Sequence, residues 1–309
     1  MITSVFKKST PLNYSLVVIL ILVFFFMFQI RETSWINSYF TIFQKVSLLC
    51  FIMASFFMVN FIVKKNGLTK DNGFAIFFYL LFVLFFPTIF NNSNVVYANF
   101  FLLLALRRLI SLQSLKSSKE KIFDASFWIF VASLFQFWSI LFLILVFISI
   151  VFHVSRDYRN WVLPFVALLA VAIIFLMISL MFHIDVVEFF QTRAVIDFKI
   201  DYFKNNYENG ALSIYTAVAL FFVFSMLTTL SNRPQIVHSS YKKIVACFFI
   251  AAAVYLISPD KSNDLLLFSI APLTIMAASH VEYMQQKLNN EIVFYVLILC
   301  SLFTFFSQL

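Results

Sequence analysis

The sequence predicts an all-α fold: a polytopic transmembrane helix bundle of about 9–11 spans, filling residues 1–309 as a single integral membrane domain. Three observations lead there. The 309 residues are 62% hydrophobic and 12% charged, about half the charged share of a soluble domain, and mean hydropathy is +0.96. The apolar residues come in unbroken runs such as Val17-Val18-Ile19-Leu20-Ile21-Leu22-Val23-Phe24-Phe25-Phe26, without the period-two alternation of a membrane barrel strand. The 22 lysines and arginines gather between those runs. A surface this poor in polar groups must face lipid, where a helix satisfies its own backbone hydrogen bonds.

Lys7 and Lys8 precede the first run, at 13–30, which ends in Gln29-Ile30-Arg31-Glu32 with no small-residue cleavage site after it, so it reads as a retained span. Further spans are expected at 40–63, 74–90, 95–112, 161–182, 212–230, 243–258, 264–280 and 291–307. The run at 122–153 is long for one helix and short for two full ones. A hairpin breaking near Phe135-Gln136-Phe137 is expected there, with one long tilted helix as the alternative.

Placing the N-terminus in the cytoplasm sorts the cations. Sixteen, among them Lys7, Lys8, Lys64, Lys65, Arg107, Arg108, Lys116, Lys119, Lys121, Arg156, Arg159, Arg233, Lys242 and Lys243, fall on the cytoplasmic side. Five, Arg31, Arg193, Lys199, Lys204 and Lys261, fall outside, and Lys45 lies near the outer end of the second span, close enough to snorkel. Both ends of the 122–153 run are basic, which favours the hairpin and puts the C-terminus outside. The net charge of +8 is thereby explained by membrane insertion, and no nucleic-acid partner is expected. Glu32, Asp185, Glu188, Asp197, Asp201, Glu208, Asp260 and Asp264 fall outside, a clustering that insertion rules alone do not produce.

The long outer segment, 183–211, is expected to be interfacial. Val187, Phe190, Ala194 and Phe198 recur at helical spacing, and residues 197–202 then alternate charged and apolar. Asn205-Asn206 and Asn209-Gly210 read as turns. The segment has six large aromatic residues, Phe189, Phe190, Phe198, Tyr202, Phe203 and Tyr207, too much apolar bulk to leave wet. It is expected to lie flat as a lid above the first span.

The spans themselves offer little chemistry. All three glycines are expected in loops, so the paired broken helices of many transporters are not indicated. Ionisable residues at mid-span, which a proton or ion path needs, are scarce. Asn60, Asn99, Gln136 and Ser225 read as helix–helix hydrogen bonds. Cys50, Cys247 and Cys300 lie in apolar runs, and His153, His183, His238 and His280 are scattered. No metal site and no cofactor are expected.

The candidate site residues are therefore at the outer surface. Glu32 is placed to act as a general base, with Arg31 beside it as a phosphate contact; the same cluster also reads as an ordinary solvated helix end. Arg193 has the planar fork that suits a phosphate, and otherwise reads as an interfacial arginine. Asp264 reads as a helix N-cap. On the inner side, Arg107-Arg108 with Lys116, Lys119 and Lys121 form the densest basic patch, suited to anchoring topology and anionic lipid headgroups.

The opening Met1-Ile2-Thr3-Ser4-Val5-Phe6-Lys7-Lys8-Ser9-Thr10-Pro11-Leu12-Asn13-Tyr14, with the length and the 95–164 region, resembles an uncharacterised family of Bacteroidota multi-pass membrane proteins. That resemblance implies a bacterial inner-membrane location without implying an activity. The segment Asn91 to Ile150 is distantly similar to the GT-C glycosyltransferases: Asn91-Asn92-Ser93-Asn94, a span ending in Arg107-Arg108, a basic inner loop, then the hairpin beginning at Ala125. This likeness implies transfer of sugars from polyprenyl-phosphate donors at the outer face, with Glu32 matching the first-loop acid and 183–211 the donor-binding loop. The first outer loop is short, and Phe and Trp replace the small residues of the hairpin, so the likeness carries the scaffold further than the catalysis. Membrane lipid, a polyprenyl-phosphate-linked substrate and a protein partner in the envelope are the partners expected. Two functions follow: a GT-C-like transferase or its inactive relative, or a non-catalytic scaffold of an envelope complex. A transporter fits less well.

Overall fold

The computed structural model describes residues 5–31, 38–199, 206–259, 261–283 and 287–309. Twelve α-helices are described: α1 (Pro11–Gln29), α2 (Tyr39–Lys65), α3 (Phe74–Val83), α4 (Ser93–Ser111), α5 (Ser118–Phe135), α6 (Leu143–His153), α7 (Arg159–Phe182), α8 (Val186–Arg193), α9 (Asn206–Thr229), α10 (Gln235–Ile257), α11 (Leu267–Tyr283) and α12 (Lys287–Gln308). Eight helical stretches are long and apolar enough to cross a membrane, and there is no strand among the described residues. The protein is an all-α, multi-pass membrane protein.

The core is built around two helices that are buried on every side. Every residue of α3 is buried, and in α11 burial is continuous from Leu267 to Val281. A helix without an exposed face needs neighbours all round, and α11 has them: α3, α4, α9 and α10 pack against it. Phenylalanine fills the space between. Phe78 meets Phe294 with ring centroids 4.8 Å apart, and Phe82 meets Phe222 at 6.2 Å, edge-on, a favoured aromatic geometry. The helix α7 is peripheral, packing chiefly on α5.

The expected span at 74–90 divides into α3 and a 3-10 turn, Pro87–Phe90. The cause is Pro87, which has no N–H to donate and pushes Phe86 out of the helical region, to φ −131 and ψ 76. The run at 122–153 is a hairpin. Helix α5 stops at Phe135, Gln136 is extended at φ −132 and ψ 104, and a 3-10 turn, Phe137–Phe142, leads into α6. At the far end Lys119 Nζ and Asp157 Oδ2 lie 3.3 Å apart. The two ends of the run meet, as a single tilted helix could not allow.

The hydrogen bonds between elements define two ends of the bundle. At the basic end, Glu282 accepts from the Lys70 backbone N–H at 3.0 Å, and Lys64 pairs with Asp71 at 2.6 Å. At the opposite end, Gln29 Nε2 donates to the Phe90 carbonyl at 2.9 Å and Arg31 Nη1 to the Gln308 carbonyl at 3.2 Å. The last contact puts the C-terminal ends of α1 and α12 on one side, so the chain crosses an odd number of times.

Two expectations change. Asn209 and Gly210 are helical, in the opening turns of α9, so one glycine does lie in a long apolar helix. A Cβ at Gly210 would meet nothing within 4 Å, so no close approach calls for glycine there. Lys243 is fully buried in the third turn of α10. The helix begins eight residues before the expected start at 243, which carries this lysine inward.

Candidate functional site at the hairpin tip

The 183–211 segment forms a helix where Val187 and Phe190 place it, Val186–Arg193, capped by Asp185 and ending before Phe198. The carboxylate accepts from the backbone N–H groups of Val187 at 2.8 Å and Glu188 at 3.2 Å, filling two donors that a helix start leaves open. Phe189 and Phe190 then pack on Phe175 of α7, with ring centroids 5.0 and 5.6 Å away. The segment continues over the hairpin tip: Trp138 Nε1 donates to the Val195 carbonyl at 3.0 Å, and the Asp197 N–H donates to the Ile257 carbonyl at 3.2 Å. The lid expected above the first span thus lies, in its described part, over the hairpin and the end of α10.

Arg193 closes this arrangement. Its Nη1 donates to the Leu134 carbonyl at 2.7 Å, and the guanidinium lies 4.0 Å from the centre of the Phe189 ring. Burial pushes its pKa below the ordinary arginine value, because fewer waters support the charge. The Leu134 bond uses one of five N–H donors. Beside it opens a cleft of about 260 Å³, lined by Asn92, Asn94, Gln136, Thr192, Arg193 and Ser262 with a few apolar neighbours.

The cleft wall is braced from behind. Asp264 is buried and accepts from Thr88 Oγ1, from Asn92 Nδ2 at 3.2 Å and from Ser262 Oγ at 3.3 Å. Asn92 in turn caps α4, accepting from the Val95 N–H at 3.3 Å. Asp264 is therefore a tie between the α3–α4 turn and the start of α11, and not the N-cap expected of it: Ser262 stands at the cap position of that turn. The expectation missed this because the partners lie more than 170 residues away in sequence.

The predicted site residues separate. Arg193 lines the cleft. Arg31 is exposed at the end of α1, bonded to Gln308, and is not part of that lining. Glu32 lies outside the described residues. Lys45 reaches Asn91, next to Asn92. The polar residues expected to join helices do so: Asn99 Nδ2 to Tyr79 Oη at 3.1 Å, Asn60 Nδ2 to Tyr14 Oη at 3.3 Å, Gln136 Nε2 to Ser258 Oγ at 3.5 Å, and Ser225 to His280. Among the described residues no group of His, Cys, Asp and Glu has metal-binding geometry.

A family model described as a family of unknown function, DUF6427, matches residues 5–309. The chain belongs to that family. No curated protein and no solved structure matches it. The DUF6427 match spans the whole bundle, so the hairpin, the outer segment and the cleft are all within the region that defines membership.

Proposed function

We propose that this DUF6427 protein binds a phosphate-bearing, lipid-linked sugar at the outer face of the bacterial inner membrane, as a GT-C-like transferase or an inactive relative of one. One observation carries the reading: the Asn91–Asn94 segment, the hairpin tip and the 183–199 segment, which the GT-C likeness singles out separately, converge on one polar cleft around Arg193. A guanidinium partly withdrawn from water gains most from an anion, and the amides of Asn92, Asn94 and Gln136 are suited to sugar hydroxyls. The cleft opens at the end of the bundle, where a polyprenyl tail can remain in lipid while its phosphate enters. From the sequence, Glu32 stays the proposed base and Arg31, which lies apart from the cleft lining, the proposed second phosphate contact.

The test is binding of a polyprenyl phosphate to the full chain in nanodiscs, with and without Arg193→Ala. Loss of a charge-assisted contact weakens binding by about 1.5–3 kcal/mol, roughly tenfold or more. Unchanged binding in Arg193→Ala removes the site. Glu32→Gln then separates the chemistry: binding kept and sugar transfer lost supports the transferase, whereas transfer kept removes Glu32 as base.

A second reading, a non-catalytic scaffold in an envelope complex, is favoured by α7. That helix turns Leu169, Ile173, Met177, Leu180 and Met181 outward at near-helical spacing, a face open to lipid or to a partner helix. Recovery of a stoichiometric protein partner in mild detergent, lost when Leu169 and Ile173 are changed to alanine, supports it.

A further inference from the structure

We propose that the basic end of the bundle holds a binding pocket for a phosphate-bearing anion, separate from the outer cleft. A cavity of about 480 Å³ opens where the ends of α2 and α4 meet the turn into α5. Five cations line it: Lys65, Arg107, Arg108, Lys116 and Lys121. The sequence shows them only as a basic patch; the fold makes three separate segments face one space.

Some of these charges are explained by the helix ends. Lys121 Nζ donates to the Ser111 carbonyl at 2.8 Å and to Ser114 Oγ at 2.7 Å. It thereby serves the C-terminal carbonyls of α4, where a cation also meets the negative end of the helix dipole. Arg108 pairs with Asp124 at 2.8 Å. Lys65, Arg107 and Lys116 remain. Among the described residues none of the three has a carboxylate partner.

The fold brings these three to one space. Lys65 Nζ is 5.1 Å and the Arg107 guanidinium 4.6 Å from the centre of the same Phe61 ring. Two like charges gathered at one ring repel each other, and an anion beside them would offset that repulsion. Lys116 is held by an unusual turn: Leu115 and Ser117, on either side of it, both have positive φ, 54° and 48°. Such backbone is uncommon outside glycine and persists where the surroundings enforce it. The pocket thus gathers five cationic donors, three of them without a carboxylate partner among the described residues, around a space large enough for one or two phosphate groups. Gln113 and Ser114 add neutral hydrogen-bonding groups.

The shared ligand chemistry is one or two neighbouring phosphate groups carrying two or more negative charges in a short span. A two-phosphate lipid headgroup such as that of cardiolipin and a soluble diphosphate both supply it. The experiment uses the full chain purified in neutral detergent, titrated in one arm with cardiolipin and in another with inorganic pyrophosphate. Thermal unfolding and native mass spectrometry are the readouts. The expected result is saturable stabilisation by at least one of the two. Response to cardiolipin alone identifies a headgroup site, and response to pyrophosphate identifies a site open to soluble phosphates. The variant Lys65→Gln/Arg107→Gln/Lys116→Gln should weaken that binding on the order of 100-fold, from about fivefold per charge. A control, Lys70→Gln/Arg156→Gln/Lys242→Gln, removes the same charge from the same end outside the pocket and should change it little. Equal loss in both variants, or no saturable response to either anion in the unaltered chain, overturns the proposal. If the triple variant does not fold, Lys116→Gln alone, in its exposed turn, carries the same comparison at about fivefold.

Discussion

Lys243 Nζ donates to the carbonyl oxygen of Leu109 at 2.6 Å from a side chain with no exposed surface. The bond joins α10 to the last turns of α4. The Leu109 carbonyl is not dependent on it, since the Leu112 N–H also reaches that oxygen. Replacing lysine by methionine therefore leaves no orphaned acceptor, keeps most of the volume and removes the burial of an ammonium group. Lys243→Met should leave stability within about 1 kcal/mol of the parent or raise it. Lys243→Ala opens a cavity and should cost about 2–4 kcal/mol. Thermal unfolding in a fixed detergent measures both. A large loss in the methionine variant would show that the amine does more than join two helices.

Asp264 gives the opposite expectation. Its oxygens serve three donors, from Thr88, Asn92 and Ser262, and Asp264→Ala leaves those half-buried donors without that acceptor. A penalty of about 1–3 kcal/mol is expected. Asp264→Asn retains one carbonyl oxygen and should cost less. Because Asn92 and Ser262 line the outer cleft, the alanine variant should also weaken ligand binding there, and comparing melting temperature with affinity across the two variants tests the link. Equal stability of both variants would mean that the three donors find other partners.

Residues close in sequence foretold most of this, and residues far apart did not. The hairpin was legible because Lys119 and Lys121 at one end and Arg156 and Arg159 at the other demand an even number of crossings, and Gln136 interrupts an apolar run. The α8 helix was legible from the spacing of Val187 and Phe190. The burial of Lys243 was not, because periodicity cannot say which member of the Lys242-Lys243 pair faces inward until neighbouring helices are placed: Lys242 is exposed and Lys243 buried. The cleft was visible only as fragments. Arg193 carried a phosphate expectation from its own chemistry, but its neighbours Asn92, Gln136 and Ser262 lie on three other elements. The separation of Arg31 from Arg193 likewise depends on α12, whose last turn takes Arg31 as a partner.

The N-cap at Asp185 should control the order of α8. Asp185→Ala removes acceptance from two backbone N–H groups and should cost about 1 kcal/mol locally. Hydrogen exchange across 186–193 should then speed up roughly fivefold, while exchange in α3 and α11 stays unchanged. Since Arg193 ends this helix, binding at the cleft should fall with it. Unaltered exchange would mean that the Phe189 and Phe190 contacts alone hold the helix.

Sidedness is the last prediction, and it tests the hairpin and the bundle ends together. Lys119 and Asp157 clasp the open end of the hairpin at 3.3 Å, while the tip meets Val195 through Trp138. Single cysteines at 119 and 157 should therefore react with a membrane-impermeant thiol reagent from one face only, and cysteines at 185, 199 and 261 from the other face. The asymmetry of lysine and arginine assigns 119 and 157 to the cytoplasm. The clasp has a pH dependence with a definite sign. The Arg159 backbone N–H, and then Lys119, hold the Asp157 carboxyl below the ordinary aspartate value. Such a group stabilises the fold above the unfolded-chain pKa of about 3.9, and that contribution is lost as pH falls through the lower folded value. Labelling of a cysteine placed at the exposed neighbour Tyr158, with Lys119 and Asp157 intact, should thus accelerate in acid, at matched reagent reactivity, with no matching change at 261. Labelling of 119 and 157 from opposite faces would mean that 122–153 crosses once, and the bundle would have to be rebuilt from α5 onward.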